Sequence, residues 1–270
     1  VSKWIPIYIG MTAFFIIHKE IFMNILITGA TSGLGWALAE VYAEAGNTLF
    51  LTGRNQKKLN HITQVCQNQQ AKVISKIIDI KDTEAVKSWV QEISQEFRLD
   101  LVIANAGISA GTSSGTESEN QINEIFSTNI NGVLNTINPA IEVMLNCHPE
   151  RSEGSRETGC EIKPNSSNEI LHFTQDNKRK GQIAIISSLA GFRGLPSSPA
   201  YSASKSCVRV YGEALRGSLA PLGIWVNVVC PGYIKTPMTA VNEFTMPFLM
   251  DAKKAALIIK KSLAKNKSRI

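Results

Sequence analysis

Thr28-Gly29-Ala30-Thr31-Ser32-Gly33-Leu34-Gly35 is a stretch suited to holding a phosphate. Its glycines allow a tight turn and a close approach of backbone to ligand. A helix opening at the end of that turn presents free N–H groups and a positive dipole end to a pyrophosphate. Four further groups follow along the chain: Asn105-Ala106-Gly107, Ser187-Ser188, the pair Tyr201 and Lys205, and Pro231-Gly232. Tyr201 and Lys205 are one helical turn apart and share a face.

The surrounding pattern says what must position these groups. Short apolar runs at 25–27, 48–52, 72–78, 100–104, 182–187 and 224–229 read as strands. Helical spacing over 33–45, 56–69, 83–97, 119–145, 200–219 and 252–265 fills the intervals between them and the stretch after the last strand. Strands alternating with helices predict an α/β fold, a doubly wound parallel sheet of Rossmann type with helices on both faces. Each candidate group falls at, or just beyond, the carboxyl end of a strand, so all of them could line one crevice.

Composition narrows the function classes. The chain has 270 residues, is 44% hydrophobic and has ordinary Gly and Pro counts, which excludes collagen-like, mucin-like and disordered readings. Five cysteines with no C-x-x-C pair argue against a disulfide framework and a Cys-built zinc site, and four scattered histidines argue against any metal. A reducing cytoplasm is the expected compartment. Residues 251–270 carry seven Lys or Arg side chains against Asp251, which accounts for the whole net charge of +6. The basicity therefore belongs to one C-terminal helix, not to a nucleic-acid-binding face.

Two stretches break the pattern. Residues 1–22 contain an apolar run, 4–17, too short for a spanning helix of about 20 residues. It reads as an upstream stretch preceding a start at Met23, as a membrane-associating segment, or as an extra packed element. Residues 147–181 are polar with balanced charge and cannot bury enough surface to offset ordering. They read as an insert in a single domain spanning 23–270, with a partner-binding loop as the functional alternative. The insert follows a helix and precedes a strand, so it belongs at the amino ends of the strands, opposite the crevice.

Together, Thr28-Gly29-x-x-x-Gly33-x-Gly35, Asn105-Ala106-Gly107, Ser188, Tyr201-x-x-x-Lys205 and Pro231-Gly232 with Thr236 resemble the short-chain dehydrogenase/reductase family. The spacing of 13 from Ser188 to Tyr201 also fits. The resemblance covers Met23 to about Lys267, less the insert. It implies hydride transfer between a nicotinamide and a small-molecule carbonyl or alcohol. Tyr201 would be the general acid/base, its pKa lowered from about 10 by the Lys205 charge. Lys205 would also hold the nicotinamide ribose, Ser188 would bind the substrate oxygen, and Asn129 would hold a proton-relay water. Thr28, Gly29, Thr31, Ser32, Gly33, Leu34, Gly35, Asn105, Ala106, Gly107, Pro231, Gly232 and Thr236 would contact the cofactor, with Asp79 and Ile80 at the adenine. The second strand ends Leu51-Thr52-Gly53-Arg54-Asn55, with an Arg where NAD enzymes place an acid, which points to NADPH over NADH.

The family often forms dimers or tetramers through the helix at 119–145 and the Tyr201 helix. It normally carries one more strand after the last helix; here that strand is missing or barely begun, which would leave a sheet edge exposed. Residues 237–250, with Phe244, Met246, Phe248, Leu249 and Met250, suggest an apolar substrate lid. The alternative is a catalytically impaired nucleotide-binding remnant of such an enzyme.

Overall fold

Unbroken apolar runs such as Ile25-Leu26-Ile27 are what a parallel strand covered on both faces requires. The computed structural model describes residues 3–9, 12–18, 22–109, 117–146, 179–196, 198–242 and 244–270. Six such strands form its parallel sheet: β1 (Asn24–Thr28), β2 (Thr48–Gly53), β3 (Lys72–Ile77), β4 (Leu101–Ala104), β5 (Gly181–Ile186) and β6 (Ile224–Val229). Their order is β3-β2-β1-β4-β5-β6. Chain progression reverses between β1 and β4, which opens a crevice at their carboxyl ends.

The helices are α1 (Gly33–Tyr42), α2 (Gln56–Asn68), α3 (Thr83–Glu96), α4 (Glu119–Phe126), α5 (Gly132–Asn146), α6 (Pro199–Leu219) and α7 (Ala252–Ala264). Side chains alternate across each strand and divide the core in two. Ile25, Ile27, Leu49 and Leu51 pack with Leu38, Leu59 and Ile259 of α1, α2 and α7. Leu26, Phe50 and Val102 pack with Val90, Ile137 and Val208 of α3, α5 and α6. β3 is the edge strand and carries exposed Lys72 and Lys76, charges that oppose edge pairing.

Two expectations need correction, and the apolar run at 4–17 takes a definite secondary structure. The helix expected over 119–145 is not continuous: a π-helical turn, Ser127–Asn131, separates α4 from α5. There the Asn129 side chain turns inward to bond the backbone of Ile108. The apolar run at 4–17 is two strands, Lys3–Ile9 pairing antiparallel with Thr12–His18. The sheet edge expected to be exposed is covered: Val228 N–H donates to Ser268 O at 3.0 Å, and Cys230 N–H donates to Ile270 O at 2.7 Å. Only the bridge between Val228 and Arg269 forms there, so the seventh strand is barely begun.

A buried polar network fixes that final segment. Asn227, fully buried, donates to Lys267 O at 2.6 Å and accepts from Gln182 at 2.7 Å. Arg216 donates to Val226 O and to both oxygens of Asn266.

The segment expected as an insert lies outside the described residues as far as 178. Its flanks, Asn146 and Arg179, are at the amino end of the sheet. Lys180 donates from its side chain to Leu145 O at 3.0 Å and from its backbone to Gly223 O at 2.8 Å.

Candidate active site

The phosphate end of the crevice is built from backbone. Gly29 has φ +69, and a Cβ there would lie 2.8 Å from Ala106 Cα. A Cβ on Gly35 would collide with Gly29 O and Asn105 Nδ2. Neither position admits a side chain without moving the turn. Asn105 Nδ2 donates to Thr28 O at 2.9 Å, while Thr28 Oγ1 accepts from Asn105 N–H at 3.2 Å and Ala106 N–H at 3.3 Å. The turn after β1 and the turn after β4 are thus laced together.

Most helix starts are satisfied by protein. Asn55, Asp82, Ser118 and Asp251 cap α2, α3, α4 and α7 with their side chains. Glu117 Oε2 accepts from Ala200 N–H at the start of α6 at 2.7 Å. α1 differs: Ser32 makes no capping bond and the first turn holds no acid. Its free N–H groups face the crevice as an anion site would require.

Arg54 follows β2 with its side chain 58% exposed, 3.9 Å from the Asp79 carboxylate, a pairing too open to hold it from a ligand. Lys58, in the first turn of α2, lines the same end of the crevice. Sequence reasoning missed Lys58; the cue was a basic residue one turn beyond Arg54, after the Asn55 cap.

The other end is built on α6. Lys205 is buried and donates from Nζ to Ile186 O at 2.9 Å, with Nζ 5.8 Å from the Tyr201 ring centroid. Ser187 Oγ donates to Lys205 O at 2.7 Å. Ser188 accepts from Ala190 N–H at 3.1 Å and is hydrogen-bonded to Tyr201 through its side chain.

The electrostatics depart from expectation. Burial pushes the Tyr201 phenol above its usual range, and only the Ser188 hydrogen bond pulls the other way. Lys205 does not lower it, because burial depresses the Lys205 ammonium itself to about 8 and its proton donors face Ile186. Without cofactor, Tyr201 is a protonated donor.

The crevice measures about 1500 Å³ and brings together nearly all the residues singled out from the sequence. Gly29, Thr31, Ser32, Gly33, Leu34, Gly35, Arg54, Asp79 and Ile80 line one end. Asn105, Ala106, Gly107, Ser188, Tyr201, Lys205, Pro231, Gly232 and Thr236 line the middle. Thr28 and Asn129 do not line it; both are buried behind the wall, 2% and 0% exposed. Asn129 Oδ1 accepts from Ile108 N–H at 2.8 Å, and its Nδ2 donates to Ile108 O at 2.9 Å and Ser204 Oγ at 3.0 Å. Its side chain braces the wall against α6. Of the expected lid residues, Phe244 and Phe248 line the outer end together with Met238 and Val241, whereas Met246, Leu249 and Met250 do not line it. Phe248 is 97% exposed with φ +56, a backbone conformation a bulky residue adopts only under constraint. Leu189 and Arg193, not singled out from the sequence, line the same crevice.

A family model described as short chain dehydrogenase matches residues 23–155 and 165–246. This chain belongs to the short-chain dehydrogenase family. The gap between the matched blocks falls inside the expected insert. As a short-chain dehydrogenase it is an NAD(P)-dependent oxidoreductase acting on CH–OH or C=O groups. An uncharacterized oxidoreductase of Myxococcus xanthus is 29% identical over 246 residues, covering 91% of this chain and 85% of its own. An uncharacterized oxidoreductase of Mycobacterium tuberculosis is 32% identical, covering 83% of this chain and 78% of its own. A Sphingobium yanoikuyae short-chain dehydrogenase, solved in complex with NADPH, superposes with a TM-score of 0.74 at 20% identity, over 92% of this chain and 87% of its own. Among the described residues no helix is long and apolar enough to cross a membrane, and no cluster of metal-ligating side chains occurs.

Proposed function

We propose that the protein is an NADPH-dependent carbonyl reductase in which Tyr201 transfers the proton. The observation that carries this reading is the convergence of Ser188, Tyr201 and Lys205 at the middle of one crevice whose far end offers glycine backbone, a free helix start and two cations.

The residues present fit the cofactor. Gly29 and Gly35 leave the space a pyrophosphate needs, and the first turn of α1 supplies N–H donors. Arg54 and Lys58 suit a 2′-phosphate, with no acid at the end of β2 to repel it. Asp79 and Ile80 would flank the adenine, and Thr236 would meet the nicotinamide carboxamide. The NADPH bound by the Sphingobium relative lends support to the same preference. When bound, the nicotinamide supplies the hydride.

This chain's side chains do the rest. Ser188 donates to the substrate oxygen and favours the charge that develops there. Tyr201, held protonated by burial, gives its proton to that oxygen. Lys205 would hold the ribose, its Nζ fixed by Ile186 O one helical turn from Tyr201. Asn129 ties Ile108 to Ser204 of α6 through its side chain, and would hold a relay water behind Tyr201. The apolar lid favours a hydrophobic carbonyl. Exposed Phe126, Val210 and Tyr211 on α4 and α6 support assembly into a homodimer or homotetramer, and free Cys66, Cys207 and Cys230 suit a reducing cytoplasm.

Thermal unfolding with no ligand, with NADPH and with NADH tests the cofactor claim. Ligand at 100 times Kd adds about 2.7 kcal/mol to the folded state. A Tm rise with NADPH that exceeds the rise with NADH is expected. No rise with either would favour the impaired remnant.

A further inference from the structure

The turn that carries Ser188 is held from behind by charged groups that never enter the crevice. Ser188 O accepts from Gly191 N–H at 3.0 Å, and Leu189 N–H donates to Pro231 O at 2.9 Å. Gly191 lies flat on α6, where a Cβ would come within 2.9 Å of the Lys205 carbonyl. Arg209, one turn beyond Lys205, donates from Nε to Gly191 O at 3.1 Å. Its guanidinium stacks on Phe192, with Cζ 4.5 Å from the ring centroid. Arg269, brought along β6 by the final segment, reaches the same ring at 5.3 Å.

Two guanidiniums beside one ring repel each other unless a carboxylate lies between them. Glu213 supplies it. Arg209 Nη1 donates to both Glu213 oxygens at 3.1 Å, and Arg269 donates to Oε1 from Nη2 at 2.7 Å and from Nε at 3.1 Å. Burial pushes the Glu213 carboxyl up, but the hydrogen bonds and charges of Arg269 and Arg209 outweigh it and hold it below the usual carboxylate range.

We infer that Glu213 is a positioning residue for the reaction: by clamping Arg209 and Arg269 over Phe192 it fixes the Ser188–Phe192 turn, and with it the Ser188 hydroxyl beside Tyr201. The inference rests on the function proposed above only for its effect on rate; the clamp itself is a statement about the turn. It couples the last residues of the chain to the substrate end of the crevice through one carboxylate.

The test compares full-length wild type, Glu213→Gln, Glu213→Asp and Arg269→Gln. Amide hydrogen exchange is followed at Ala190, Gly191 and Phe192, and benzil reduction by NADPH is assayed alongside. In Glu213→Gln and Arg269→Gln these three amides should exchange about ten-fold faster, with NADPH affinity within about two-fold of wild type. kcat with benzil should fall about ten-fold, the loss of one charge-assisted hydrogen bond. Glu213→Asp should recover part of both effects. Arg269 is half exposed, so its variant keeps the test open should Glu213→Gln fail to fold. Exchange at the three amides unchanged in a folded variant, or faster uniformly across the sheet, overturns the clamp. If wild type does not reduce benzil, the exchange data alone decide the clamp, and the carbonyl-reductase reading is decided by the wider ketone panel.

Discussion

The Asn129 carboxamide pairs with both backbone groups of Ile108, at 2.8 Å to the N–H and 2.9 Å to the carbonyl. The same Nδ2 reaches Ser204, whose hydroxyl donates to Tyr201 O at 2.8 Å. One fully buried side chain therefore ties the loop after β4 to the helix of Tyr201. In Asn129→Asp a carboxylate would face Ile108 O with no proton to offer. The cost should be about 3 kcal/mol, the penalty for a buried polar group left unsatisfied. A Tm drop of about 5–10 °C is expected by calorimetry, with turnover falling as well. A Tm equal to wild type would show that the brace carries no load.

The buried Lys205 sets a pH dependence. Its ammonium titrates at about 8, while the Tyr201 phenol lies above its usual range. Reduction needs both groups protonated, so Lys205 loses its proton first as pH rises. kcat/KM for reduction should be flat below about 8 and fall about ten-fold per pH unit above it. In Lys205→Arg, where the guanidinium keeps its charge, that alkaline limb should move upward by more than one unit. An unmoved limb would assign the titration to another group.

Arg54 and Lys58 should govern the choice of cofactor. Arg54→Ala should raise KM for NADPH about 10–100-fold, the worth of one or two hydrogen bonds to a charged phosphate. KM for NADH should change less than about three-fold, because NADH presents a hydroxyl there. Lys58→Ala should shift KM in the same direction by a smaller factor. Steady-state kinetics with both cofactors decides this, and equal losses for the two would remove the 2′-phosphate assignment.

Gly35→Ala should destabilise the first turn of α1 by about 1–3 kcal/mol, since its Cβ collides with backbone rather than with a flexible side chain. More specifically, the variant should lose the NADPH-induced Tm rise at a cofactor concentration that saturates wild type. A retained rise would show that the turn relaxes without closing the phosphate cradle.

Much of this was legible in the sequence, for physical reasons. A parallel sheet covered on both faces demands contiguous runs such as Ile25-Leu26-Ile27, and these marked the strands almost to the residue. The Tyr201–Lys205 spacing announced a shared face. The π turn at Asn129 was not legible, because local spacing continues smoothly through it and the cause is a long-range bond to Ile108. Lys58 looked like any exposed helix lysine until the crevice placed it beside Arg54. The raised phenol of Tyr201 was missed because spacing fixes which residues share a face, not where Lys205 Nζ points. The final segment looked too short to cover the sheet edge, yet Asn227 and Arg216 anchor it along β6.

The central claim is that Tyr201 donates the proton in an NADPH-dependent reduction. The direct measurement is NADPH consumption against a panel of aromatic and aliphatic ketones by wild type and Tyr201→Phe, each first shown to give the same NADPH-induced Tm rise. The account predicts turnover of at least one ketone by wild type and a loss of about 10²-fold or more in Tyr201→Phe, the contribution of a positioned general acid. Equal turnover by the two proteins, with cofactor binding intact in both, would contradict it.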